Sequence, residues 1–136
     1  MIKTLVLWSL LLPLLVVSQH GLTVSVEGVP NSQGYISVGV YNSHDGFLDP
    51  NKAYVGTFVN AVQGVTQVHF DNLPNGTYAV AAFYDENGNK KLDTNFLGIP
   101  KEEVAFSNAK MKTFGPPSYE ECSFNLTAEM VVTIRP

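Results

Sequence analysis

Residues 77–84, Thr-Tyr-Ala-Val-Ala-Ala-Phe-Tyr, form the stretch that decides the fold. Successive side chains of a β-strand point to opposite faces of the sheet, and here both faces are apolar. The two sets are Tyr78, Val80 and Ala82 on one face and Ala79, Ala81 and Phe83 on the other. A strand with two apolar faces is covered on both sides, so we predict that this one is central in its sheet.

Shorter strands precede and follow this stretch along the chain. Apolar and polar side chains alternate in them with a period of two, which is typical of half-buried strands, and no helical pattern extends beyond one turn. One such turn is predicted at 118–121, where Ser118 and Glu121 have capping-box spacing. Seven or eight short strands separated by turns predict an all-β fold, an antiparallel β-sandwich with Greek-key connections. The other predicted strands lie at 22–27, 36–40, 55–59, 65–70, 124–126 and 130–134.

The N-terminus has the pattern of a secretory signal peptide. Lys3 is the only charged residue before Glu27, and residues 5–17 are almost wholly apolar. A short cationic start followed by about a dozen apolar residues is typical of such a peptide, whereas a membrane span needs roughly 20. We therefore predict a signal peptide at 1–18, cleaved after Ser18; an uncleaved membrane anchor is the alternative.

Cleavage at that point leaves residues 19–136, a length typical of a single domain. We expect this domain to be secreted or periplasmic and to have no membrane span. The whole chain has a net charge of −4 and no cluster of lysine and arginine, which argues against nucleic acid as a partner. Cys122 is the only cysteine, so no disulfide forms within the chain.

The stretch YDENGNKKLD at 84–93 has oxygen-bearing side chains at the spacing of a calcium loop. Its glycine lies at the fourth position rather than the sixth, and no glutamate occupies the twelfth, so the loop is not an EF-hand. Two carboxylates indicate a Kd of about 10⁻⁴ to 10⁻³ M, as in extracellular modules. The alternative is a tight turn in which the same side chains accept hydrogen bonds from nearby backbone amides. The predicted ligands are the side chains of Asp85, Asn87, Asn89 and Asp93 and the carbonyl oxygen of Lys91.

A resemblance to a known family rests on two segments, NLPNGTYAVAAFYDENGNKKLDTNFLGIP at 72–100 and GPPSYEEC at 115–122. The chain resembles a family of uncharacterised secreted bacterial proteins, a domain-of-unknown-function family (DUF2141-like). The commonest form of that family has a second glycine where this chain has Lys90. The resemblance implies a secreted β-sandwich without an established activity. The lead-in at 73–78 also resembles prealbumin-like domains, so the expected sandwich is prealbumin-like or immunoglobulin-like.

The apolar run Phe-Leu-Gly-Ile-Pro at 96–100 follows the calcium-type loop directly. We expect it to fold back and close one end of the sandwich. The alternative is an exposed rim against which a hydrophobic ligand or partner packs.

Two classes of function stay open. The first is an exported binding or structural module, stabilised by calcium, that recognises a protein, a glycan or a small hydrophobic ligand at its loop end. The second is an enzyme of unrecognised type that uses Cys122 or the pair His44 and Asp45. The chain has no G-x-S-x-G nucleophile motif, and its histidines do not follow a metal-binding pattern. We therefore favour the non-enzymatic module.

Overall fold

The computed structural model describes residues 11–136, of which 48% lie in strands and 6% in helices. The predicted all-β composition is therefore confirmed. The first part of the predicted signal peptide, residues 1–10, lies outside the described residues. The strands are β1 (Gln19–Val29), β2 (Tyr35–Tyr41), β3 (Val55–Asn60), β4 (Gly64–Pro74), β5 (Gly76–Asp85), β6 (Val104–Phe106), β7 (Phe124–Leu126) and β8 (Met130–Ile134), with a 3-10 turn at Pro50–Lys52 and one helical turn, α1, at Tyr119–Cys122.

The strands form two sheets that are mostly antiparallel. The first sheet has the order β4-β1-β8, and β8 runs parallel to β1. The second sheet has the order β3-β2-β5-β6, and β7 also pairs with β5. The strand from which the fold was predicted is β5, and it is central as expected, because β2 lies on one side and β6 pairs along the other.

The two sheets share one hydrophobic core. Alternate side chains along β1, β2 and β5 point toward the other sheet and meet in this core. The largest fully buried apolar side chains are Leu22, Val24, Ile36, Val38, Val40, Val80 and Leu126. Removing such surface from water stabilises the fold by about 25 cal/mol for each Å² of apolar area.

A second, smaller cluster lies on the other face of β5. Ala79, Phe106 and Cys122 are buried there, and Phe47 and Tyr119 pack against them. The helical turn α1 covers this cluster and begins with the predicted capping box: the Glu121 amide donates to the Ser118 hydroxyl at 3.2 Å, and the Ser118 amide donates to the Glu121 carboxylate at 2.8 Å. This cluster covers the second apolar face of β5, so the strand is covered on both faces at this end.

The chain enters its longest irregular stretch where β5 ends at Asp85. Residues 86–103 connect β5 to β6 and contain both the calcium-type loop and the apolar run. At the other terminus of the described chain, residues 11–18 have no regular structure and their leucines are exposed. Among residues 11–136 the structure contains no helix of sufficient length and apolar character to cross a bilayer.

Candidate functional site

Asp85 anchors the calcium-type loop. It is the last residue of β5 and it is fully buried. One carboxylate oxygen, Oδ2, accepts a hydrogen bond of 2.7 Å from the Lys90 amide across the loop. The other oxygen, Oδ1, is buried and has no hydrogen-bond partner among the described residues. A buried carboxylate oxygen without a partner is costly and is rarely tolerated without a function.

The remaining predicted side-chain ligands meet around Asp93. The Asn87 amide group donates to Asp93 Oδ2 at 2.7 Å, and the Asn89 amide group donates to Asp93 Oδ1 at 2.8 Å. These two hydrogen bonds hold the pKa of Asp93 below its ordinary value, and the bond from Asn89 has the larger effect. The structure therefore brings Asn87, Asn89 and Asp93 into direct contact, through the amide nitrogens of the two asparagines.

The carboxamide oxygens in this loop are engaged with the backbone. Asn87 Oδ1 accepts from the Asn89 amide at 3.1 Å, and Asn89 Oδ1 accepts from the Lys91 amide at 2.9 Å. These are the hydrogen bonds of the tight-turn alternative. Within the described chain no set of three or more His, Cys, Asp and Glu side chains is arranged to hold a metal ion. A bound calcium would therefore require the amide groups of Asn87 and Asn89 to turn their oxygens toward it.

Glu102 is a third acidic or amide neighbour of Asp93, one that the sequence pattern did not reveal. Its Oε2 accepts a hydrogen bond from the Asp93 amide at 3.2 Å. Partial burial raises the pKa of Glu102, and the nearby carboxylates of Asp93 and Asp85 raise it further. Three carboxylates thus influence one another at this loop, which is more than the two expected. No spacing pattern marked Glu102, because it comes close to Asp93 only through the turn that the bridge between Thr94 and Pro100 closes.

Lys90 directs its charge away from the loop. Its backbone has a φ of 60°, the left-handed region, and Gly88 two residues earlier has a φ of 72°. The Lys90 ammonium lies 5.3 Å from the ring centre of Tyr35 and 6.0 Å from that of Phe58, on the outer face of the second sheet. Cation–π contacts of this kind stabilise an exposed lysine by about 0.5–1 kcal/mol. The positive charge of Lys90 is thus held above aromatic rings and not in the loop.

The apolar run forms a hairpin that points outward. Thr94 and Pro100 bridge its base, and the Asn95 side chain accepts hydrogen bonds from the amides of Leu97 and Ile99 at 2.9 and 3.0 Å. The side chains at its tip are largely exposed, with Phe96 at 96%, Leu97 at 68% and Ile99 at 55%. The expectation that this run closes one end of the fold is therefore wrong. The hairpin satisfies its own backbone through Asn95, so it needs no support from the core. We call residues 94–100 the apolar hairpin.

Asp93 joins the calcium-type loop to the apolar hairpin. Its side chain is held by Asn87 and Asn89, while its carbonyl oxygen accepts from the Lys101 amide at 2.8 Å, on the returning arm of the hairpin. A shallow groove lined by residues of both parts lies alongside: Glu86, Asn87, Asp93, Thr94, Lys101 and Glu102. The two features therefore form one candidate site at the end of β5.

The residues named for an enzyme lie elsewhere, and the structure does not assemble them. Cys122 is the last residue of α1 and is fully buried, and burial raises the pKa of its thiol to about 11. The carboxylate that meets His44 belongs to Glu120, with Oε1 2.7 Å from Nδ1, and not to the neighbouring Asp45. A reactive cysteine needs a lowered pKa and access to solvent, and Cys122 has neither property.

These observations define a β-rich protein of two mostly antiparallel sheets with an acidic loop and an exposed apolar hairpin at one end. The chain belongs to a bacterial family described as "Uncharacterized protein conserved in bacteria (DUF2141)", whose model matches residues 24–134. The family resemblance seen in the sequence is thereby confirmed. Neither the curated proteins nor the solved structures gave a match to this chain.

Proposed function

We propose that this protein is an exported binding module in which calcium braces the loop at Asp85–Asp93 and the apolar hairpin binds a hydrophobic ligand or an apolar partner surface. The observation that carries the proposal is the hairpin itself. Phe96, Leu97 and Ile99 are exposed together on a turn whose backbone is fixed by Asn95. Soluble proteins that expose clustered apolar side chains on a fixed scaffold commonly use them for binding.

Calcium is the cofactor that fits the loop best. Asp85 has one buried carboxylate oxygen without a partner, and hard cations such as Ca²⁺ prefer carboxylate, amide and carbonyl oxygens. Asn87, Asn89, Asp93 and the carbonyl of Lys91 supply the remaining oxygens of the proposed site, and Glu102 is positioned to add a further carboxylate. The proposal requires rotation of the two asparagine amide groups, which now donate to Asp93.

The finer description of the fold belongs to the same proposal. We infer a β-sandwich with Greek-key connections of the prealbumin-like or immunoglobulin-like kind. The shared core of the two sheets supports this inference. The path of the chain supports it too, because the chain crosses from one sheet to the other four times: between β1 and β2, between β3 and β4, between β4 and β5 and between β7 and β8. In such folds the loops at one end form the binding surface.

Export is proposed on the basis of the N-terminal sequence and its position relative to the fold. The first strand begins at Gln19, directly after the proposed cleavage at Ser18. The apolar side chains at 11–17 are exposed and do not contribute to the core, so the described part of the proposed signal peptide is not needed to complete the core.

We propose binding rather than catalysis because the residues named for an enzyme lack the required surroundings. Cys122 is buried with a pKa raised to about 11, and His44 lies on the surface against Glu120. A protein or a small hydrophobic ligand fits the apolar hairpin better than a glycan does, because its tip has no polar side chain.

The test compares two exposed apolar tips of this chain. One variant replaces Phe96 and Leu97 with serine in the apolar hairpin. Its matched control is Phe114→Ser, because Phe114 is fully exposed on another short hairpin, where Lys112 and Gly115 bridge. Binding of the apolar dye anilinonaphthalenesulfonate is followed by fluorescence in calcium.

We expect the double variant to lose most of the dye signal and Phe114→Ser to keep it. Equal signals for all three proteins would contradict the proposal, as would equal losses in both variants. Circular dichroism of each variant verifies that the fold is unchanged.

A further inference from the structure

The strands at the borders of the two sheets differ in how they are protected. An edge strand exposes backbone N–H and C=O groups that can pair with another chain, and natural edges carry charges, prolines or bulges that prevent it. In β4, charged and polar side chains such as Asp71 and His69 face solvent, and the pairing with β1 shifts register near both ends. β8 is only five residues long and is followed by Arg135, which pairs with Glu27 at 2.7 Å.

β3 has none of these protective features. Its six residues are Val-Gly-Thr-Phe-Val-Asn, without a charge or a proline. It pairs with β2 from Val55 to Asn60 without a register shift, and among the described residues β2 is its only strand partner. Three of its residues are β-branched, which favours extended pairing. The free edge of β3 is therefore a regular, uncharged strand open to a further strand.

We propose that β3 is a homodimer interface, in which it pairs antiparallel with β3 of a second copy about a twofold axis at Thr57. The two second sheets would then join into one continuous sheet across the axis. Pairing of this kind is isologous, because the same surface is used by both copies.

The side chains of β3 are complementary in this register. Val55 lies opposite the second copy's Val59, and both valines are half-buried against the core. On the outer face Gly56 lies opposite the second copy's Phe58, so that each aromatic ring covers a glycine. Phe58 is 39% exposed and contacts Phe83 edge-to-face at 6.2 Å. On the outer face glycine thus meets phenylalanine, while on the inner face valine meets valine and Thr57 meets its own copy.

The charge of the protein favours this edge over the rest of the surface for self-association. The chain has a net charge of −4, so two copies repel each other at most orientations. No residue of β3 itself is charged, so the backbones can approach within the roughly 4.8 Å of neighbouring strands. The Lys90 ammonium lies 6.0 Å from the Phe58 ring centre, on the outer face of the sheet. An extended peptide from another protein would use the same backbone groups; we propose a second copy because its Phe58 and Gly56 fall opposite Gly56 and Phe58 in the twofold register.

The first experiment measures the mass of the purified protein in solution by sedimentation. We expect twice the monomer mass for the native sequence and the monomer mass for Thr57→Lys, because a lysine on an edge strand blocks pairing and the axis places two of them side by side. Phe58→Lys is a second blocking variant on the exposed face. The matched control, Thr133→Lys, places the same change on the exposed side of β8, and we expect it to remain dimeric.

The second experiment traps the pairing covalently. Residues directly opposite in an antiparallel pair have Cβ atoms about 4.5–5.5 Å apart, so Thr57→Cys should form a disulfide with its own copy under mild oxidation. Thr133→Cys should not. Native Cys122 is buried and does not compete.

A monomer for the native protein would overturn the proposal and leave the free edge to a peptide of another protein. A dimer that survives both Thr57→Lys and Phe58→Lys would also overturn it, as would equal cross-linking at positions 57 and 133. Circular dichroism distinguishes a folded monomer from an unfolded variant.

Discussion

Replacing Asp85 by asparagine tests the proposed calcium site most directly. Asp85 Oδ2 holds the Lys90 amide, and Asp85 Oδ1 is buried without a partner. Asparagine has the same shape and keeps an oxygen for the Lys90 amide, but it removes the charge. We therefore expect the variant to fold and to lose its response to calcium.

The size of the calcium response follows from mass action. A ligand that binds only the folded state stabilises it by RT ln(1 + [L]/Kd). With a Kd of about 1 mM, typical of extracellular sites, calcium at about 10 mM should add roughly 1.4 kcal/mol to the free energy of unfolding of the native protein. For a domain of this size that corresponds to a rise in Tm of roughly 3–8 °C. Magnesium should do less, because it requires a smaller octahedral site and loses its water reluctantly.

When calcium is absent, Asp85→Asn should no longer have a lower Tm than the native protein. In chelator the native protein buries a carboxylate oxygen without a partner, which costs about 1–3 kcal/mol. Asp85→Asn removes the charged form of that group, so its Tm in chelator should equal or exceed that of the native protein, while in calcium it should be lower. The control Asp45→Asn changes an exposed aspartate far from the loop and should keep the full calcium response.

The assay is thermal unfolding followed by circular dichroism in calcium, magnesium and chelator. If the native protein melts at the same temperature in calcium and in chelator, the loop is a plain turn and holds no ion. If Asp85→Asn loses the same stability in both conditions, Asp85 has only its structural bond to the Lys90 amide, and the calcium assignment is wrong.

Three further predictions concern other parts of the chain. N-terminal sequencing of the exported protein should begin at Gln19, and an intact Met1 would refute the signal peptide. Because burial raises the Cys122 pKa from 9.0 to about 11, iodoacetamide should react with the folded protein far more slowly than with the unfolded chain. The thiol also contributes stability that is fully present below the ordinary pKa and is lost as the pH rises from 9.0 toward about 11; a folded protein alkylated as fast as free cysteine would contradict the burial. Lys90→Gly should relieve the strain of the left-handed backbone at this position and, since it removes a positive charge, increase the rise in Tm that calcium causes. A smaller rise in melting experiments would show that the contacts of Lys90 with Tyr35 and Phe58 matter more.

The strands were predictable because the evidence for them is local. The two apolar faces of residues 77–84 identified the central strand, and the spacing of Ser118 and Glu121 identified the cap of α1. The parallel pairing of β8 with β1 was not predictable in this way. An alternating strand has the same pattern whether its neighbour runs parallel or antiparallel, and these two strands are about a hundred residues apart in the chain.

The site was predictable only in part, for a related reason. The spacing of Asp85, Asn87, Asn89 and Asp93 revealed the loop, because all four lie within nine residues. Glu102 and the partner of His44 depend on how distant segments return, and no local pattern encodes this. The outward position of the apolar hairpin was missed because an apolar run is usually buried, whereas Asn95 here satisfies the backbone of the turn without help from the core.

The position of Asp93 connects the two halves of the proposed function. Its carboxylate is held by Asn87 and Asn89, its amide donates to Glu102, and its carbonyl accepts from Lys101. A cation that draws this carboxylate toward Asp85 must therefore act on both arms of the apolar hairpin. Coupling between two sites is reciprocal, so a ligand on Phe96 and Leu97 that binds more tightly in calcium must raise the affinity for calcium by the same factor. Calcium titrations with and without the bound ligand measure that factor, and a value of one would mean that the loop braces the fold without controlling the hairpin.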